Sequence, residues 1–253
     1  MLNVYDWKHL KDAECLIEKP SFTKSVNFDQ NFSFQCDLCE SIKTFEEVTY
    51  DYGVKDNDFI EKLIQIDRPV KMNGGIEHWI RNDPNVIDVL LKEDEFASSL
   101  PCKINSNIHN NKDEDFVKVK SLISKTMIFE NFFLQFQNCE KAAIRIFRNV
   151  TSRPSILPDN LSPVTISWLL WSKKYSTTRF KRIDLVEKYT VIGQIKGGII
   201  LRLLPRKNCQ GICHILEGPL LENQFIVLTS LWDVEYRPFQ ESENLGAVLE
   251  IRG

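Results

Sequence analysis

The sequence predicts an α+β fold, in which an N-terminal antiparallel sheet with helices precedes a C-terminal small β-barrel or sandwich. Three features predict this class. Apolar and polar residues alternate in two stretches before residue 53, which is typical of half-buried strands. Apolar residues recur at three- and four-residue steps in the middle of the chain, which is typical of helices. Short apolar runs separated by glycine and proline follow residue 188 and predict four or five strands.

The N-terminal hundred residues predict helices on either side of strands. Trp7, Leu10 and Ile17 lie on one side of the first helix. Later, Asp58 and Asp83 provide N-cap chemistry for two more helices. The elements predicted here are a helix over 5–18, antiparallel strands over 21–36 and 45–52, and helices over 58–66 and 84–96.

The middle of the chain predicts a loop and then the strongest helical pattern. Residues 103–116 are polar and rich in asparagine, which is typical of a surface loop or linker. Residues 114–148 have helical spacing, interrupted near 129–139, where a strand is the alternative. Three prolines predict a linker over 151–163, and Ser162-Pro163 predicts the start of a short helix that ends at Trp171.

The C-terminal strands complete the domain organisation. They are predicted over 189–195, 199–204, 212–216, 225–228 and 247–251, and an OB-like barrel is one arrangement of them. The predicted domains are an acidic α+β unit over 1–102, a loop or linker over 103–116, and a helical segment followed by a basic β-rich unit over 117–253.

Charge is unevenly distributed along the chain. The 253 residues carry a net charge of −3, and their ordinary composition excludes collagen-like, fully disordered and coiled-coil proteins. Residues 117–207 have a balance of +12, while residues 1–116 and 208–253 have balances of −10 and −5. Two interpretations follow: a polyanion-binding surface, or basic and acidic faces that meet within the folded protein.

The basic segment predicts a nucleic-acid-binding surface because its cations alternate with aromatic residues. Cations neutralise phosphates, and exposed aromatic rings stack on unpaired bases. The alternative is that the aromatic residues belong to the core and the cations only solvate its outer face, and we expect at least half of the aromatic residues to be core. The predicted nucleic-acid-binding residues are Trp171, Lys173, Lys174, Tyr175, Arg179, Lys181, Arg182, Lys196, Arg202, Arg206 and Lys207.

Cysteine spacing leaves a zinc site as an alternative. Cys36 and Cys39 form a C-x-x-C pair, and Cys209 and Cys213 form a C-x-x-x-C pair followed by His214. Zinc needs four thiolate or imidazole ligands. The pairs lie about 170 residues apart, so we prefer buried, reduced cysteines and predict no metal site and no cofactor.

The leading hypothesis is a non-enzymatic intracellular subunit of a larger complex, located in the nucleus, that binds DNA or RNA. It expects protein partners and no membrane, because no apolar run approaches the ~20 residues that cross a bilayer. The sequence contains no common catalytic motif, so no catalytic residue is predicted. One alternative is a protein–protein adaptor without nucleic-acid contact. Another is an enzyme with a dispersed site, for which Glu77, His78 and the Cys36–Cys39 pair are the first suspects.

Overall fold

The computed structural model describes residues 36–49, 57–75, 85–109, 117–151, 166–240 and 242–252. Residues 36–40 form a helical segment. The strands are β1 Glu46–Thr49, β2 Val70–Asn73, β3 Pro101–Ser106, β4 Phe132–Asn138, β5 Ile166–Lys173, β6 Lys181–Ile183, β7 Tyr189–Lys196, β8 Gly198–Pro205, β9 Leu216–Leu221, β10 Gln224–Thr229, β11 Trp232–Pro238 and β12 Glu243–Ile251. The helices are α1 Asn57–Gln65, α2 Val86–Lys92, α3 Asp94–Ala97, α4 Val119–Thr126 and α5 Lys141–Val150, with a 3₁₀ turn at Lys207–Cys209.

Two sheets form a sandwich. The large sheet has the order β1-β2-β10-β7-β12-β5-β4-β3, and the small sheet has the order β6-β11-β8-β9. Apart from the β8–β9 hairpin, consecutive strands from β5 to β12 change from one sheet to the other. This alternation over eight strands is the arrangement of a jelly roll. The α+β prediction is confirmed, whereas no closed barrel is found in the described residues.

The two faces of the large sheet are buried against different partners. One face packs against helices around Leu90, Phe96, Leu122 and Phe147. The opposite face packs against the small sheet around Trp168, Trp232 and other apolar residues. β5 lies in the middle of the large sheet, between β12 and β4, so it is covered on both faces. Two-sided burial explains its nearly continuous apolar sequence.

Several predicted elements are confirmed by the structure. The helix predicted over 58–66 is α1, and the helix predicted over 84–96 is divided into α2 and α3. The interruption near 129–139 is the strand β4, between α4 and α5. Four of the five predicted C-terminal strands match β7, β8, β10 and β12.

Other predicted elements are wrong. The helix ending at Trp171 is instead β5, because a fully buried strand lacks the alternation that distinguishes it from a short helix. The polar segment from residue 103 begins inside β3, an edge strand that needs few apolar residues. The strand predicted over 212–216 starts only at Leu216. Residues 36–40 are helical rather than extended, and β1 pairs with β2 in parallel rather than antiparallel fashion.

The cysteines also differ from the predicted reduced thiols. Disulfides join Cys36 to Cys209, Cys39 to Cys213 and Cys102 to Cys139. The helix over 5–18, the strands over 21–35 and the linker within 152–163 lie outside the described residues. The division into units at 103–116 stays a prediction, and the large sheet takes strands from both sides of it. No helix in the described ranges has the length and apolar character that crossing a membrane requires.

Candidate functional site

A cleft lies where β5 and β7 end and β12 begins. It has a volume of about 270 Å³. Its charged side chains are Asp88 of α2, Lys173 of β5, Lys196 of β7 and Glu243 of β12. β12 pairs with both β5 and β7, and this pairing brings Glu243 level with Lys173. Residues that are 70 positions apart in the sequence therefore share one site.

Glu243 is the most constrained charge in the cleft. Its carboxylate accepts hydrogen bonds from Lys196 Nζ at 2.6 Å and from Trp171 Nε1 at 3.0 Å. Burial opposes ionisation of this carboxyl, but the two hydrogen bonds and the charges of Lys196 and Lys173 outweigh burial. The pKa of Glu243 is therefore lowered. The group is an ionised anchor that fixes Lys196 and the Trp171 ring.

The lowered pKa of Glu243 predicts a pH-dependent contribution to stability. A carboxyl with a lowered folded-state pKa stabilises the fold above its unfolded-state pKa, about 4.3, and loses that contribution as the pH falls through the folded-state value. We expect E243Q to flatten the dependence of the free energy of unfolding on pH in the acidic range below about 4.3. Urea unfolding at a series of pH values measures this slope. Identical slopes for both proteins would contradict the prediction.

The cleft has an aromatic floor and an apolar rim. Trp171 is half-buried, and its ring meets Phe132 edge to face at a centroid distance of 4.9 Å. Met127, at the end of α4, lines the rim and is 76% exposed. Ile128 and Phe129 follow it and are also exposed. The expectation of protein partners stays a prediction.

Three of the predicted nucleic-acid-binding residues, Trp171, Lys173 and Lys196, meet at this cleft. Two others, Arg182 and Arg202, lie on the small sheet, where carboxylates hold them. Arg182 pairs with Asp184 and Asp233, and Arg202 pairs with Glu217 at 2.8 Å. In the strand register, Glu235 lies between the two arginines.

The remaining predicted residues do not form one track. The Lys181 ammonium group lies over the rings of Phe133 and Tyr175, at 4.9 and 5.4 Å from their centroids. Tyr175 is half-buried and stacked on Phe133. The other members of the predicted set are exposed in separate connections: Lys174 and Arg179 between β5 and β6, and Arg206 and Lys207 after β8.

Strand pairing explains why basic residues of the central segment lie beside acidic residues in the described part of the fold. β11 comes from the acidic C-terminal segment and lies between β6 and β8, which come from the basic segment. β12 likewise lies between β5 and β7. Opposite charges on neighbouring strands therefore face each other. Of the two interpretations of the charge pattern, the structure supports basic and acidic faces that meet within the protein.

No protein-family model matches the chain, and no curated protein matches it. Among solved structures, the chain is similar to a 2OG-Fe(II) oxygenase family oxidoreductase from Burkholderia pseudomallei, with 12% identity and a TM-score of 0.38 over 82% of this chain and 94% of that chain. It is also similar to the ribosomal oxygenase YcfD from Escherichia coli, with 15% identity and a TM-score of 0.46 over 81% of this chain and 54% of that chain. A second structure of YcfD has 16% identity and a TM-score of 0.44 over 83% of this chain and 53% of that chain. The chain thus spans about half the length of YcfD.

The prediction of a non-enzymatic nucleic-acid-binding subunit is wrong. The solved structures to which the chain is similar are named as oxygenases and not as nucleic-acid-binding subunits. Arg182, Lys196 and Arg202, which were predicted to contact phosphate, are paired with carboxylates instead. Neither the structure nor the comparisons support a nuclear location or the preference for a protein without catalytic activity.

The described residues do not fit the iron centre of such oxygenases. That centre needs two histidines and one carboxylate around one metal. Two histidines are described: His109 lies just after β3, and His214 is exposed between β8 and β9. In the described ranges, the one group of three or more His, Cys, Asp or Glu side chains close enough to hold a metal consists of cysteines. The space between the sheets is filled by apolar side chains.

The sequence analysis did not identify Asp88 or Glu243. It did select three other residues of the cleft, Trp171, Lys173 and Lys196, but as nucleic-acid-binding residues. No local motif contains either acid, because the cleft is formed by strand pairing and by α2. Glu77 and His78, suspected under the enzyme alternative, lie outside the described residues.

Proposed function

We propose that the cleft at the ends of β5 and β7 binds a small zwitterionic ligand of the amino-acid class and is the working site of the chain. The observation that carries the proposal is that the cleft places two side chains of opposite charge, Lys173 and Asp88, beside an aromatic floor. Lys173 and Asp88 form none of the ion pairs found among the described residues, whereas Lys196 and Glu243 are paired with each other. A ligand carboxylate fits Lys173, and a ligand ammonium group fits Asp88.

The apolar part of the ligand has its own contacts. Trp171, Phe132 and Met127 provide an aromatic and thioether surface within the same cleft. Ligand sites commonly combine apolar walls with a few placed polar groups, and about 300 Å³ is the lower end of their usual volume. The volume of about 270 Å³ favours a ligand the size of one amino acid.

Calorimetry with L-leucine, L-leucinamide and N-acetyl-L-leucine tests this site. Each charge-assisted hydrogen bond contributes about 1.5–3 kcal/mol. We therefore expect removal of the ligand carboxylate or ammonium group to raise Kd about tenfold or more. K173M is expected to weaken leucine binding equally and to abolish the difference between leucine and its amide.

K174M is the matched control for K173M. Lys174 is the next residue, is exposed and does not line the cleft. We expect K174M to bind leucine like the unchanged protein. If none of the twenty amino acids binds at about 10 mM, a concentration that detects very weak sites, the proposal fails.

A further inference from the structure

Four cysteines from distant parts of the chain meet at one buried point. Cys36 and Cys39 lie on the helical segment 36–40. Cys209 ends the 3₁₀ turn after β8, and Cys213 follows four residues later. All four are buried, with exposed fractions of 1, 0, 0 and 7% in sequence order. The sequence places these pairs more than 170 residues apart, so only the fold unites them.

Three of the four sulfur atoms form one cluster that includes members of both disulfides. The sulfur atoms of Cys39, Cys209 and Cys213 all lie within 4.8 Å of one another, although Cys39 is bonded only to Cys213. Cys36 joins this cluster through its bond to Cys209. The sulfurs of Cys39 and Cys213 also both approach the carbonyl oxygen of Cys36, at 3.2 and 3.4 Å.

We propose that Cys36, Cys39, Cys209 and Cys213 form a structural zinc site when they are reduced. Four thiolates complete a closed tetrahedral zinc site, and its ligands commonly occur as two pairs with two to four residues between the members. The C-x-x-C and C-x-x-x-C pairs of this chain have that spacing. His214 is exposed and is not needed as a ligand.

Local backbone geometry supports the second pair of ligands. The N–H groups of Ile212 and Cys213 donate to the carbonyl oxygen of Cys209, at 3.2 and 3.0 Å, so the chain turns tightly between the two cysteines. Lys207 lies in the same turn and brings a positive charge close in sequence to Cys209 and Cys213. The site would join the helical segment 36–40 to the connection between β8 and β9.

Metal binding and disulfide formation are alternatives at this site. Binding of one Zn²⁺ to four thiols releases four protons and transfers no electrons. A thiol oxidant of the disulfide class removes two electrons for each disulfide formed, expels the zinc and leaves the Cys36–Cys209 and Cys39–Cys213 bonds. A dithiol reductant supplies four electrons and four protons and restores the four thiols, which release the four protons again when Zn²⁺ rebinds.

Metal analysis of the full chain, purified with a thiol reductant and without chelator, tests the proposal. We expect about one zinc ion per chain, and a loss of at least about fivefold in C36S and in C209S, because a closed site needs all four ligands. C102S is the matched control, since Cys102 and Cys139 are exposed and form a separate pair. It should retain the zinc. A zinc content near zero, or one that C209S leaves unchanged, overturns the site.

A measurement on the unchanged protein covers the case in which these variants fail to fold. An organomercurial reagent is titrated while a chelating dye reports the released zinc. We expect zinc release to accompany the modification of about four of the seven thiols of the reduced chain, as a four-thiolate site requires. Zinc release that does not follow thiol modification overturns the proposal.

Discussion

E250A is expected to lower the free energy of unfolding by about 3 kcal/mol or more, because it leaves buried donors without an acceptor. Glu250 is fully buried on β12. Its carboxylate accepts hydrogen bonds from Trp168 Nε1 at 2.7 Å and from the N–H groups of Val186 and Glu187 at 2.6 and 3.0 Å. The side chain thus ties the connection between β6 and β7 to the large sheet.

Urea unfolding of E250A is compared with that of two other variants. E217A removes a partly exposed carboxylate whose partner, Arg202, remains hydrated, so its cost should stay below about 1 kcal/mol. W168F keeps an aromatic ring and removes the indole N–H that donates to Glu250. The free energy lost in the W168F/E250A double variant should therefore differ strongly from the sum of the two single losses. If E250A lowers the free energy of unfolding by no more than E217A does, the buried carboxylate does not hold the connection between β6 and β7.

Local sequence patterns predicted strands that have clear turns at their ends. β7 and β8 are separated by Gly197, which adopts a φ of +69°. The turn marks both strands in the sequence. β5 has no such mark and is buried on both faces, so its apolar run was mistaken for a helix. β6 was missed because three residues contain too little of a pattern to detect.

The candidate site was only partly predictable, because strand order decides which charges meet. Lys173 and Lys196 stand out in the sequence as members of a basic segment. Their surroundings depend on β12, which comes from the acidic end of the chain and pairs with both of their strands. The same applies to Arg182 and Arg202, which β11 separates. Segregated charge along a chain therefore predicts a charged surface only where strands from the same segment are neighbours.

The cysteine cluster was also only partly predictable from the sequence. Its two pairs have recognisable spacing, but the distance of more than 170 residues between them made four separate buried cysteines the simpler interpretation. Closure of the sandwich brings residues 36–40 beside the connection that follows β8. Spacing within each pair was informative, whereas spacing between the pairs was not.

The interior of the sandwich is a packed core, and W232A tests that directly. Trp232 is 1% exposed between the sheets, and its Nε1 donates to the carbonyl oxygen of Asp67 at 2.9 Å. An open chamber for a metal and substrate would tolerate the loss of this ring, whereas a packed core leaves a cavity. We expect W232A to lower the free energy of unfolding by about 3–5 kcal/mol.

Two further variants separate packing from hydrogen bonding. W232F retains most of the ring volume and removes the indole donor, so we expect a loss of about 1–2 kcal/mol. I215A truncates an apolar side chain that is 58% exposed, and its effect should lie within about 0.5 kcal/mol. If urea unfolding shows W232A to be as stable as I215A, the space between the sheets is not a close-packed core. In that case, the interior of the sandwich has room for a ligand, as the cleft at Lys173 does.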